Sequence, residues 1–239
     1  PAFLVIVDND FFLVDCGGGV NHQIMRAGYH PSKVNTVFLT HLHIDHCVEF
    51  PSLVFGSYLT GKEGGYEVYG PKGTSHFTKS IFDDTYNFAK EMMIKLRKKE
   101  IIINSHEVEE GKIFSKNNLS VYSIPVVHGI PSLAFKFIYK SKSVVFSGDT
   151  APCDNIIEIS KDVDLLIIEC SFPEESGPKP GHLIPSQVAE IANKANVGKV
   201  VLVHLFPPCK GKEINITEKI KEKFSKEILI GNDLDRFVL

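Results

Sequence analysis

The sequence predicts an α/β chain of four layers, αββα, in which two mixed sheets pack face to face with helices outside. Short apolar, β-branched runs with hairpin-like connections occupy the first half and the start of the second, whereas strand and helix alternate strictly toward the C-terminus. A doubly wound parallel sheet would alternate throughout. Length agrees: 239 residues suit one large domain, and 43% hydrophobic residues fill a substantial core, which excludes a disordered chain.

The runs at 2–7 and 11–14, joined by Asp8-Asn9-Asp10, read as a β-hairpin. The turn Gly17-Gly18-Gly19 leads into a helix to about Ala27, followed by a strand at 34–39. Beyond a histidine-rich segment come a helix over Phe50–Tyr58, a strand at 66–69 ending at Gly70-Pro71, and a helical stretch across 74–98. Strands follow at 101–103, 119–127, 132–139 and 143–147. The rest alternates: helix 153–160, strand 164–169, helix 185–196, strand 199–203, a helix near 215–224 and strand 227–230. Residues 1–239 thus read as a single domain. The sequence begins directly in a strand, so a further strand upstream is expected.

No apolar stretch reaches the roughly 18 residues a membrane span needs, and no secretory leader pattern opens the chain. The expectation is a cytoplasmic protein without membrane association. Cys16, Cys47, Cys153, Cys170 and Cys209 are odd in number and scattered, which speaks against a disulfide framework or a thiolate zinc site. A net charge of −3 gives no global attraction to nucleic acid. The run Lys95-Leu96-Arg97-Lys98-Lys99 closes a helix and complements the negative end of its dipole, with an anionic-substrate or RNA contact as the alternative.

Six apolar strands each deliver a polar group at or just beyond the C-terminal tip: Asp15, His41, His128, Asp149, Glu169 and His204. Ligands of α/β folds gather beyond the carboxyl ends of strands. The strongest local signal is His41-Leu42-His43-Ile44-Asp45-His46. In an extended segment residues i and i+2 point the same way, so His41 and His43 can grip one cation and leave Asp45 and His46 for a second. Imidazole and carboxylate suit zinc, manganese or iron. His182 follows a Gly/Pro-rich loop and precedes a helix, where capping is the alternative reading. His22, His30, His76 and His106 read as surface residues.

These residues resemble the metallo-β-lactamase superfamily, and most of all its ribonuclease Z-like branch. Asp15, Thr40-His41-x-His43-x-Asp45-His46, His128, Ser147-Gly148-Asp149-Thr150 and His204 match its five motifs in order. His128-Gly129-Ile130-Pro131, Asp149-Thr150-Ala151-Pro152 and Gly181-His182-Leu183 narrow the branch. The resemblance implies two divalent transition-metal ions, zinc in the first instance, with His41, His43 and His128 on one, Asp45, His46 and His204 on the other, and Asp149 between them. It also implies catalytic roles for Asp45 and for His182, which is steadied by Glu169 and protonates the leaving group, and a homodimer. One departure stands out. Ribonuclease Z carries a long RNA-gripping arm between its third and fourth motifs, but only 21 positions separate His128 from Asp149 here.

The function expected is therefore that of a metal-dependent hydrolase, a phosphodiesterase acting on small nucleotide diesters or short RNA ends. The alternatives are a lactonase or thioesterase of the same fold, or a full transfer-RNA 3′ processing endoribonuclease. A redox or binding protein on this scaffold is disfavoured, because His43 and the complete ligand set are retained.

Overall fold

Unbroken apolar runs on either side of Asp8-Asn9 close β1 (Phe3–Val7) onto β2 (Asp10–Val14) as an antiparallel hairpin, with Asp8 in the left-handed region at φ 53°. The computed structural model describes residues 1–239, which form two compact units, Pro1–Val108 and Glu109–Leu239, each built on its own sheet.

In the first unit β3 (Val34–Phe38), β4 (Tyr66–Gly70) and β5 (Ile103–Glu107) join the hairpin in parallel, giving the order β1-β2-β3-β4-β5. Parallel neighbours need crossovers. These are α1 (Val20–Arg26), the single turn α2 (Ile44–Cys47), α3 (Phe50–Leu59), α4 (Thr74–Lys79) and α5 (Asn87–Arg97). Leu13, Val37, Leu39 and Val68 bury one sheet face against Phe50, Leu53, Val54 and Met93 of the helices. Truncations at such fully buried positions usually cost about 2–5 kcal/mol.

Lys62, just past α3, is only 2% exposed and was not anticipated as a core residue. Its ammonium donates to the carbonyls of Ser32 and Val34 and to Asn35 Oδ1, and lies 4.3 Å from the Tyr66 ring centroid. Burial pulls its pKa down to about 8. Between that value and the ordinary lysine range the unfolded chain binds more protons than the folded one, so stability rises with pH there. Lys62→Met removes this contribution. The wild-type unfolding midpoint, measured relative to this variant, should climb from pH 8 to pH 10; a flat difference would contradict the assignment.

The second unit opens with an antiparallel meander, β6 (Gly111–Lys116), β7 (Leu119–Val126), β8 (Ser132–Tyr139) and β9 (Lys142–Phe146). The strands β10 (Leu165–Glu169), β11 (Lys199–Val203) and β12 (Glu227–Ile230) then add in parallel, for the order β12-β11-β10-β9-β8-β7-β6. Helices α6 (Asp154–Ile159), α7 (Pro185–Lys194) and α8 (Glu213–Lys221) alternate with the parallel strands. Val145, Leu166, Ile168, Val200 and Leu202 pack with Ile156, Val188, Ala192, Ile216 and Ile220.

Three expectations need correction. The strand placed at 101–103 lies at Ile103–Glu107, and β6 was not foreseen. The helical stretch 74–98 is not continuous: a π-helical segment, Ser80–Thr85, separates α4 from α5, and the Tyr86 amide reaches the Ile81 carbonyl. The basic run does close a helix. Lys98 caps α5 in the left-handed region, Arg97 donates to the Leu59 carbonyl, and Lys99 donates to the Lys62 carbonyl. No helix is long and apolar enough to cross a membrane.

Candidate metal centre

In the first unit the site begins where β2 ends. Asp15 adopts φ 59°, a conformation uncommon outside glycine and often found at functional sites. Its carboxylate, 1% exposed, accepts the Thr40 amide at 2.8 Å, the Thr40 hydroxyl at 2.9 Å and His46 Nδ1 at 2.8 Å. Thr40 Oγ1, having given its proton to Asp15, accepts from His41 Nδ1 at 3.0 Å. The Nδ1 protons of His41 and His46 are thereby committed, and each ring presents Nε2 as its acceptor nitrogen. His41 Nε2 lies 3.1 Å from His43 Nδ1. A tetrahedral cation with metal–nitrogen bonds of about 2.0–2.1 Å holds its ligand nitrogens about 3.3 Å apart, so the spacing fits a shared ion.

His43 starts α2, whose one turn brings Asp45 Oδ2 to 3.5 Å from His46 Nε2. The turn is clamped from below: the Cys16 amide donates to the His46 carbonyl, and a Cβ on Gly17 would meet the Asp45 carbonyl oxygen at 2.2 Å. Only glycine permits that approach. Cys47, the cysteine nearest this cluster, donates its thiol to the His43 carbonyl at 3.3 Å. Burial pushes its pKa up to about 11, which keeps it a neutral thiol.

The second unit carries a cluster of its own at four strand tips. Past β7, His128 directs Nδ1 at the Gly181 carbonyl, 2.8 Å away, which again makes Nε2 the acceptor. Past β9, Asp149 Oδ2 lies 3.5 Å from Nε2 of His204. His204 follows β11 directly, in the left-handed region at φ 56°. At the tip of β10 the fully buried Glu169 gathers five donors: the amides of Thr150, Ser171 and Leu183, the Ser171 hydroxyl at 2.6 Å, and His182 Nδ1 at 3.0 Å. With its proton spent on Glu169, Ser171 Oγ accepts from His204 Nδ1 at 3.0 Å. Ligand atoms of His128, Asp149 and His182 lie within 4.8 Å of one another, as do those of Glu169, His182 and His204.

The strand-tip pattern therefore brings Asp15, His41, His43, Asp45 and His46 together in one unit, and His128, Asp149, Glu169, His182 and His204 in the other. His182 does not cap α7, whose N-cap is Ile184; its ring turns to Glu169 instead. His106, taken for an unpartnered surface residue, stacks on Tyr69 and pairs with Glu67 at 2.7 Å. The orienting roles of Ser171 and Gly181 were missed. A serine two residues beyond a strand tip and a glycine in a loop carry no chemical signature until the histidines they orient are in place. All five cysteines are free thiols.

Residues 11–205 match the model of the β-lactamase superfamily domain. Ribonuclease Z of Methanothermobacter thermautotrophicus is 26% identical over 269 aligned residues, covering 91% of this chain and 84% of that protein. The metallo-β-lactamase fold protein YhfI of Bacillus subtilis superposes with a TM-score of 0.80 at 24% identity, over 97% of this chain and 88% of that one. The short form of human tRNase Z gives 0.74 at 21% identity, over 98% and 90%. The metallo-β-lactamase α/β sandwich expected from the sequence is thus the fold of its solved relatives. With the family model matching most of its length, the chain belongs to the β-lactamase superfamily.

Proposed function

We propose that this chain is a metal-dependent phosphodiesterase acting on nucleotide or RNA-end phosphodiesters, with its 239 residues working as one catalytic domain. The single observation that carries this reading is the tautomer pattern. Thr40, Asp15, Gly181 and Ser171 each take the Nδ1 proton of one histidine, and each of the four rings is left with Nε2 as a donor for a metal. Relatives named ribonuclease Z direct the choice toward phosphodiesters. In this reading His41, His43 and His128 hold one cation, Asp45, His46 and His204 hold a second, and Asp149 is shared. Zinc is the first choice by ligand type. When bound, such a pair acidifies water and stabilises charge building on the phosphoryl oxygens.

The chain's own residues supply the rest. Asp45, whose carboxylate is 53% exposed, orients the attacking water and can accept its proton. His182 keeps Nδ1 on Glu169, so in its imidazolium form the transferable proton is the one on Nε2. Donation of that proton lets the alkoxide depart and leaves the ring neutral with Nδ1 still on Glu169.

Elemental analysis of purified or reconstituted protein should find close to two transition-metal ions per chain. Protein that stays metal-free after reconstitution would refute the centre. The reconstituted protein should hydrolyse bis(p-nitrophenyl) phosphate or cyclic nucleotides in preference to lactones and thioesters; the reverse order would make it a carbon-centred hydrolase.

Transfer-RNA 3′ processing is the second reading, favoured by the names of the relatives. Against it, the 20 positions between His128 and Asp149 are taken up mainly by the β8–β9 hairpin. Affinity for folded RNA rests on many phosphate contacts, and a net charge of −3 provides no general substitute for an arm. Small diesters or short RNA ends should therefore outcompete precursor transfer RNA at near-physiological salt. A strong preference for precursor transfer RNA that charge reversal at Arg97 and Lys98 abolishes would overturn this. A homodimer and a cytoplasmic location complete the proposal; sedimentation velocity tests the first.

A further inference from the structure

We infer that Phe172 and Phe206 form a stacking platform for a nucleobase on the leaving-group side of the substrate. The inference deepens the phosphodiesterase reading and rests on it. The two rings meet edge to face with centroids 5.2 Å apart, and both are only partly buried. They flank the imidazole of His182, at 5.8 Å for Phe172 and 5.2 Å for Phe206, and Phe206 lies 4.9 Å from the His204 ring.

Partly exposed benzyl groups are unexpected neighbours for a cluster of imidazoles and carboxylates. They contribute nothing to metal binding or proton transfer, yet they stand beside the group that donates the proton. Within a nucleotide diester, the one component that gains by leaving water for an aromatic face is the base. His182 serves the departing oxygen, so a group resting on the rings beside it belongs to the departing alcohol. The substrate class that follows is a diester whose leaving alcohol is a nucleoside, not a simple alkyl or sugar alcohol. Because every base has a π-face, such a platform tolerates sequence.

The platform is fixed before any ligand arrives. The Phe206 amide donates to the Ser171 carbonyl at 3.2 Å, and the Phe172 amide to the Leu183 carbonyl at 3.4 Å. The Cys170 amide reaches the Val203 carbonyl at 3.0 Å, and the Cys209 thiol bonds the Ser171 carbonyl at 3.4 Å. Both rings are thus anchored to the tips of β10 and β11, which lowers the ordering cost of binding. Lys179, in the exposed Pro178-Lys179-Pro180 segment, has its ammonium 6.0 Å from the Phe172 ring centroid. A cation there suits the phosphate attached to a stacked nucleoside.

The chain contains no tryptophan, so Phe206→Trp keeps an aromatic face and makes it the sole indole reporter. Metal-loaded variant protein is titrated with adenosine 5′-monophosphate and, as the base-less control for phosphate binding, ribose 5-phosphate. The nucleotide should quench the indole and bind about 5- to 150-fold more tightly than the sugar phosphate, the range expected for one base on an aromatic platform. Adding Phe172→Leu should collapse that ratio toward one. Calorimetric titration of the otherwise wild-type chain and of its Phe172→Leu variant with the same two ligands gives the ratio without the tryptophan. Equal affinity for both ligands, or a preference that survives Phe172→Leu, overturns the platform. If nucleotide preference depends on Phe172 but no diester is hydrolysed, the platform stands and the phosphodiesterase reading fails.

Discussion

Turnover of His182→Ala on diesters with poorly leaving alcohols should fall by about 10²–10⁴-fold, the usual contribution of a positioned general acid. A p-nitrophenolate leaving group needs little protonation, so the same variant should hydrolyse nitrophenyl diesters at close to the wild-type rate. The geometry behind this contrast is the 3.0 Å contact between His182 Nδ1 and Glu169, a carboxylate fixed by four further donors. The ring therefore keeps one orientation, with Nδ1 on Glu169 and Nε2 as the nitrogen placed to give up a proton. His182 also lies within ligand range of His128 and Asp149, which makes direct metal binding the competing role. Metal content separates the two: a proton donor can be removed without loss of metal, and a ligand cannot. An equal loss of rate on both substrates, or a fall in metal content, would reassign the residue.

The second large effect is expected at Asp15, which orients His46 directly and His41 through the Thr40 hydroxyl. Asp15→Ala should weaken metal binding by about 10–100-fold, as is usual when the group orienting a ligating histidine is lost. It should also destabilise the fold, since buried donors on Thr40 and His46 lose their acceptor, at about 1–3 kcal/mol for each such group. Asp15→Asn separates the effects. Asparagine tolerates the left-handed backbone and can still accept from Thr40, but it offers an amide N–H to His46 Nδ1 and so favours the wrong tautomer. Zinc competition against a chromophoric chelator, together with urea unfolding, should show both losses for alanine and mainly the metal loss for asparagine. Wild-type metal affinity in the alanine variant would remove Asp15 from the centre.

The position of the chemistry was readable because strand tips are written in the sequence as apolar runs that stop at a polar residue. Asp15, Glu169 and His204 do follow or end β2, β10 and β11, and His41, His128 and Asp149 come two or three residues beyond β3, β7 and β9. The elements that escaped are those whose residues carry little apolar signal. Gly111–Lys116 has only two large apolar residues, set side by side at a register shift and flanked by exposed lysines, and Ile103–Glu107 is polar over most of its length. The break between α4 and α5 has no proline or glycine to mark it, because a π-helical segment needs neither. Lys62 shows the limit most plainly. Only the two carbonyls and the amide oxygen of residues 32–35 make its burial tolerable, and tertiary neighbours cannot be read from a window of sequence.

The contact between His128 and Gly181 reaches beyond the tautomer it sets. Gly181 adopts φ 75°, and a Cβ there would meet His128 Nδ1 at 2.8 Å, so the loop carrying His182 closes on His128 through a backbone that admits no side chain. In the proposed centre the same few residues would hold a ligand on one side and the proton donor on the other. Metal occupancy at His128 and the position of this loop would, in that centre, be thermodynamically linked, and linkage is reciprocal. Metal held there at His128 would favour the loop position that readies His182, and a substrate that orders the loop would tighten the hold on the metal by the same factor. A half-loaded enzyme would accordingly lose acid catalysis along with its cation, and metal affinity measured without substrate would understate the affinity that operates during turnover.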